Sequence, residues 1–175
     1  MKNLRLFQML VVVLFMVSCD TDDNNDNQDS ISGDPEVVAT INGGTYSNYA
    51  FSASVYQITL GANNNTMNIQ TADMNGDQIT LFLNGTGGFG AGTIKTMGAI
   101  DANNFTNFVS IRQLSSTQIN YISTSGNVTI TANAAHPTES GKRLISGTFN
   151  VSAASITDDN TTTMSGTFNA LEYVE

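Results

Sequence analysis

The sequence predicts an all-β fold, an antiparallel β-sandwich of about nine or ten strands with a closed β-barrel as the alternative, and three features carry that expectation. Beyond Glu36, apolar and polar residues alternate in short stretches, the period of half-buried strands. Clusters of Gly, Asn, Asp and Ser separate these stretches as turns. No stretch of ten residues after the N-terminal leader repeats its apolar positions at the helical period, so βαβ architecture is not supported. Composition agrees, with only 12% charged residues and no Trp.

Taken in order, Val37-Val38-Ala39-Thr40-Ile41 opens the domain, and Asn42-Gly43-Gly44 supplies glycines for a tight hairpin. Phe51, Ala53 and Val55 share one face, after which Tyr56, Ile58 and Leu60 take the other; a β-bulge accounts for that change of parity. Met67 with Ile69, then Ile79, Leu81 and Leu83, form the next strands around an Asp73-to-Asp77 turn. Further strands centre on Ile94, on Val109 with Ile111, on Ile119 with Tyr121, and on Val128 with Ile130. The last two are related. Ser146-Gly147-Thr148-Phe149-Asn150 recurs as Ser165-Gly166-Thr167-Phe168-Asn169, with Asp158-Asp159-Asn160 between the copies, so a closing hairpin is expected to present both Phe rings to the core. Strands of this number stack as a sandwich or close as a barrel.

Ahead of this domain, residues 1–18 read as a signal peptide and 19–36 as a tether, leaving 37–175 for the fold. Lys2 and Arg5 precede an apolar run from Leu6 to Val17 interrupted by Gln8. As a helix that run would span about 18 Å against about 30 Å of hydrocarbon, which suits a leader rather than a membrane span. From Asp20 to Glu36 there are seven acids and no bases, too little apolar surface to offset the entropy of ordering. Such a coil would hold the domain about 20–25 Å from its anchor. Asp20, Asp22, Asp23 and Asp26 lack the glycine of a structured calcium loop. Removing Lys2 and Arg5 leaves fifteen acids against four bases, a net of -11. That charge excludes nucleic acid as an expected partner, since phosphate binding needs clustered cations.

Met16-Val17-Ser18-Cys19 resembles a bacterial lipobox, with Met16 in place of the usual Leu. The resemblance implies lipidation of Cys19, the sole cysteine, and the lipid bilayer as a partner through its acyl chains. Ala39-Thr40-Ile41-Asn42-Gly43, Gly90-Ala91-Gly92-Thr93, Gly126-to-Thr131 and Ile145-to-Phe149 together resemble, in their order, a Bacteroidetes-type outer-membrane lipoprotein family of unknown function. That likeness spans most of Val37 to Val174 and implies an outer-membrane address, cell-surface or periplasm-facing, with no catalytic residues to carry over. Asp29-Ser30-Ile31 resembles an O-glycosylation site of the same phylum.

No enzyme is expected. His136, the sole histidine, sits in an Asn-Ala-Ala-His-Pro stretch that reads as a surface loop, without a thiol partner and with only scattered carboxylates for a metal. Of the eight acids beyond the tether, all but Glu172 fall in turns or at the terminus. Gly85, Gly87 and Gly90 fit G-x-G-x-x-G, but Ala91-Gly92-Thr93-Ile94 continues as strand where a nucleotide fingerprint requires a helix, so a hairpin loop is expected. Neither cofactor nor metal is implied. What remains is binding, of a glycan or of a small apolar ligand, with Tyr46, Tyr49, Tyr56 and Phe89 as the candidate contacts.

Overall fold

The structure, a computed structural model, describes residues 31–114 and 119–175. Cys19, the leader and the tether as far as Ser30 lie outside the described residues. The chain forms β1 (Glu36–Gly43), β2 (Tyr46–Ala53), β3 (Val55–Leu60), β4 (Thr66–Ala72), β5 (Gln78–Asn84), β6 (Ile94–Thr96), β7 (Phe108–Arg112), β8 (Asn120–Ala135), β9 (Lys142–Ser155) and β10 (Thr161–Val174), with one 3-10 turn at Ala62–Asn64. All pairings are antiparallel, in the order β2-β1-β10-β9-β8-β7-β5-β4-β3, with β6 added to β8.

The two edge strands of this sheet, β2 and β3, are neighbours in sequence and joined only by Ser54. A ten-stranded sheet whose edges are one residue apart has to curl, and it does so into a half-barrel whose arms face each other across one core. Sandwich and barrel meet in this shape, and the all-β antiparallel fold with its expected strand number is as the sequence indicated. The parity change at Val55 is therefore not a bulge. It is a bend at Ser54 where the chain leaves β1 as its partner and takes up β4. Phe51 and Ala53 stay buried before the bend, while Val55 is 71% exposed after it.

One contiguous core fills the concave side. Ile41 and Phe51 from one arm, Ile69, Leu81 and Val109 from the other, and Phe149 and Phe168 from the long hairpin all belong to it. Each fully buried side chain of this size is worth about 1.5–3 kcal/mol relative to exposure. Two strands depart from expectation. The segments around Tyr121 and Val128 are one strand, β8, which keeps facing the core because register shifts at Ser123/Ser125 and Ile130/Ala132 correct the drift of a long coiled strand. In β6, Ile94 points to solvent at 62% exposure and Lys95 is buried at 2%, the inverse of a hydrophobic-in reading.

The repeat does form a hairpin, β9 with β10. Past Phe168 an extra residue enters β10, where Ala170 takes a φ of 49° and donates its N–H to Ser146 Oγ at 2.9 Å. That bulge restores the inward direction for Leu171 and Tyr173. Glu36, assigned to the tether, pairs with Asn169 as the first residue of β1.

Candidate functional site

The four aromatics singled out in the sequence occupy three separate places. Tyr46 opens β2 and is buried, its ring 5.2 Å from Tyr49 and 6.1 Å from Tyr121. Its hydroxyl donates to Asp77 Oδ2 at 3.2 Å, while Tyr49 donates to Asp73 Oδ2. Burial and then the Asp77 charge push Tyr46 well above the usual phenol range; burial and then the hydrogen bond to Asp73 push Tyr49 up to about 12. Both rings thus stay protonated donors that close one end of the half-barrel, and Tyr46 is structure rather than an exposed platform. Tyr56 accepts the Glu172 N–H at 2.9 Å and ties β3 to β10 across the open seam. Phe89 lies on the β5–β6 loop, its carbonyl held by Asn133 Nδ2 at 2.8 Å.

The acids serve local geometry, as Asp does in turns. Asp73 Oδ1 accepts from the N–H groups of Asn75 and Asp77 at 2.9 and 3.0 Å. Asp77 goes further than a turn former: it is 2% exposed and accepts Leu114 N–H at 2.9 Å, pinning the β4–β5 turn to the chain leaving β7. The glycine-rich stretch is a loop but not a hairpin, since β5 and β6 pair with β7 and β8 rather than with each other. Lys95 crosses beneath it. Its ammonium donates to the carbonyls of Asn84 and Thr86 at 2.7 and 2.6 Å and stands 4.6 Å from the Phe89 ring centroid, and burial lowers its pKa.

His136 is half-buried rather than a free surface loop residue, and with Glu139 and Glu172 it offers ligand atoms within 4.8 Å of one another. Each of the three has partners within the protein. Nδ1 accepts Glu139 N–H at 3.0 Å and Thr138 N–H at 3.3 Å, and Nε2 faces Glu172 Oε2 at 3.4 Å. Lys142 Nζ supplies the cation, 2.6 Å from Glu139 and 2.8 Å from Glu172, and the hydrogen bonds to these two carboxylates raise its pKa.

Of the surface with binding geometry, only Tyr56 was singled out in the sequence. On the convex side of β3, β4, β5 and β7 the pairing aligns Thr59, Asn68, Phe82 and Phe108 in one row and Gln57, Gln70, Thr80 and Ser110 in the next. Phe82 and Phe108 are stacked, with centroids 5.3 Å apart and planes 13° apart, and Phe105 tilts against Phe82 at 6.2 Å. In the direction of the second row lies an open hollow of about 500 Å³ lined by Gln57, Gln70, Gln78 and Thr80 together with Val55, Tyr56 and Ala72. Among the described residues, Asn68 Oδ1 is buried with no hydrogen-bond partner.

No family of known proteins, characterised relative or solved structure matches this chain. The signal for the convex surface was nonetheless present in the sequence. Leu81 and Leu83 face the core, so Phe82 between them faces out; Val109 and Ile111 do the same for Phe108. What the sequence did not supply was the register that sets one ring opposite the other.

Proposed function

We propose that this protein is a lipid-anchored, non-enzymatic module that binds an uncharged glycan on the convex face of β3, β4, β5 and β7. The observation that carries the proposal is the stacked Phe82–Phe108 pair one row away from a hollow whose wall combines the amides and hydroxyls of Gln57, Gln70, Gln78 and Thr80 with the apolar surface of Val55, Tyr56 and Ala72. Aromatic rings receive the apolar faces of sugars, and glutamine amides offer both donors and acceptors to sugar hydroxyls. An enclosed apolar ligand is the less favoured occupant, because Met67, Ile69, Phe149 and Phe168 already fill the concave side. Lipidation at Cys19 would supply the second partner, the bilayer, placing the domain on the outer membrane and facing the cell exterior.

Binding of the detergent-solubilised full chain to an array of neutral and acidic glycans tests the ligand class. Replacing Phe82 and Phe108 together by Ala should abolish neutral-glycan binding while leaving the unfolding free energy within about 1 kcal/mol, since both rings lie outside the core. Retained binding in that variant, or capture of a protein but no glycan, would overturn the proposal. Mass spectrometry of the N-terminal peptide tests the anchor, with an acylated Cys19 as the expected first residue.

A further inference from the structure

At the far end of β8 from Tyr121, a second cleft of about 300 Å³ opens between the β5–β6 loop and the ends of β8, β9 and β10. Its walls include Leu60, Phe89, Asn133, Arg143, Tyr173 and Glu175. Arg143 is the charged group that organises it. Its Nε donates to Asn133 Oδ1 at 2.9 Å and its Nη2 to the Asn133 carbonyl at 3.0 Å, which fixes the guanidinium plane. Asn133 is itself fixed, donating from Nδ2 to the Phe89 carbonyl and lying against the Tyr173 hydroxyl at 2.9 Å.

An arginine has five N–H donors and these bonds use two. Glu175 Oε2 stands 3.7 Å from Nη1, an ion pair too long for a hydrogen bond. Arg143 therefore keeps three donors without an acceptor in bonding range among the described residues, on a side chain 28% exposed at the cleft wall. The Lys95 ammonium beneath Phe89 adds positive charge, with only carbonyl oxygens and the ring as its partners among the described residues. A pre-oriented guanidinium fork is the geometry that receives a carboxylate bidentately. Phe89 and Leu60 offer an apolar wall at the same opening, and the Tyr173 hydroxyl and Asn133 amide offer polar contacts.

We infer that this cleft is a second binding site, taking the carboxylate of an acidic sugar of the uronic-acid class, with Arg143 as its anion receptor and Glu175 as the side chain the ligand displaces. The site is built from residues that the convex Phe82–Phe108 surface does not share, so each assignment stands or falls alone.

Calorimetric titration of the full chain with glucuronate, with glucose as the neutral control and an acetylated dipeptide bearing a free C-terminal carboxylate as the alternative source of the same anion, tests the inference. Glucuronate should bind, and in the Phe82→Ala, Phe108→Ala background, which removes the proposed neutral-glycan surface, glucose should not. Arg143→Gln should weaken glucuronate about tenfold or more, the loss of a charge-assisted bidentate contact. Arg143→Lys should recover only part, since it restores charge without the fork. Glu175→Gln, which leaves the Arg143–Asn133 bonds untouched, should tighten binding. The Phe82→Ala, Phe108→Ala double variant should leave it unchanged. Equal affinity for glucose in the Phe82→Ala, Phe108→Ala background, tighter binding of the dipeptide than of glucuronate, or insensitivity to both Arg143→Gln and Glu175→Gln would each overturn the assignment.

Discussion

Gly147 of β9 lies directly opposite Phe168 of β10, and the Phe168 ring occupies the space a side chain at position 147 would need. The same relationship runs in reverse two residues along, where Phe149 of β9 covers Gly166 of β10. Ser146 bonds Asn169 and Ser165 bonds Asn150, each at 3.2 Å, so the repeated Ser-Gly-Thr-Phe-Asn pairs with its own copy about a local two-fold at Thr148 and Thr167. Each glycine is the hole into which the other strand's ring fits.

Gly147→Ala is accordingly expected to destabilise the protein by about 2 kcal/mol through overpacking, because the new methyl would meet both the Phe168 ring and the Thr129 carbonyl. Phe168→Ala should cost about 3–5 kcal/mol through the cavity it leaves. Denaturant unfolding of the two single variants and the double variant measures this. A double variant less destabilised than the sum of the singles is the expected sign of coupling, and strict additivity would refute it.

Alkaline pH should undo the closed end of the half-barrel. Tyr46 and Tyr49 have folded-state values raised above the unfolded 10.0, Tyr49 to about 12. Their contribution is fully present below pH 10; that of Tyr49 is lost as pH rises through about 12 and that of Tyr46 at higher pH still, because above pH 10 the unfolded chain ionises and the folded one resists. Stability measured across that window should fall, and a Tyr46→Phe, Tyr49→Phe variant should fall less steeply over the same interval.

Lys95 should behave in the opposite sense. Burial lowers its folded-state value below 10.5, so its favourable contribution appears only above that pH and is lost as pH falls through the lowered value. At neutral pH the buried charge is held by the Asn84 and Thr86 carbonyls and by Phe89. Lys95→Met keeps the stem but leaves those carbonyls unpaired, a loss of about 1–3 kcal/mol that amide exchange in the Gly85–Gly92 loop should register as faster opening.

Asn68 offers a trade between stability and binding. Its unpaired, buried Oδ1 costs about 1–3 kcal/mol, so Asn68→Val should raise the unfolding midpoint. Because Asn68 sits beside Phe82 in the proposed glycan surface, the same variant should bind neutral glycan more weakly. A stabilised variant with unchanged affinity would remove Asn68 from the site.

Strand positions were legible because their apolar residues alternate: Val37 to Ile41, Ile79 to Leu83 and the two Phe-bearing repeats all bury the faces their pattern indicates. The strand number also came out as expected, although by two compensating departures, one predicted strand dividing at Ser54 and two merging into β8. Lys95 and Ile94 ran against pattern because a buried ammonium is tolerated only where carbonyls converge, and Asn84 and Thr86 do so only through the path of a loop.

The sequence by itself determined that the fold is all-β and, for most strands, which residues face inward. Side-chain alternation and turn chemistry are local, set by residues a few positions apart. Tertiary structure alone decided that Phe82 meets Phe108, that Arg143 is oriented by Asn133, and that Tyr46 is buried against Asp77. Those juxtapositions depend on strand order, register and curl, which arise from packing one shared core among residues that lie far apart in the chain.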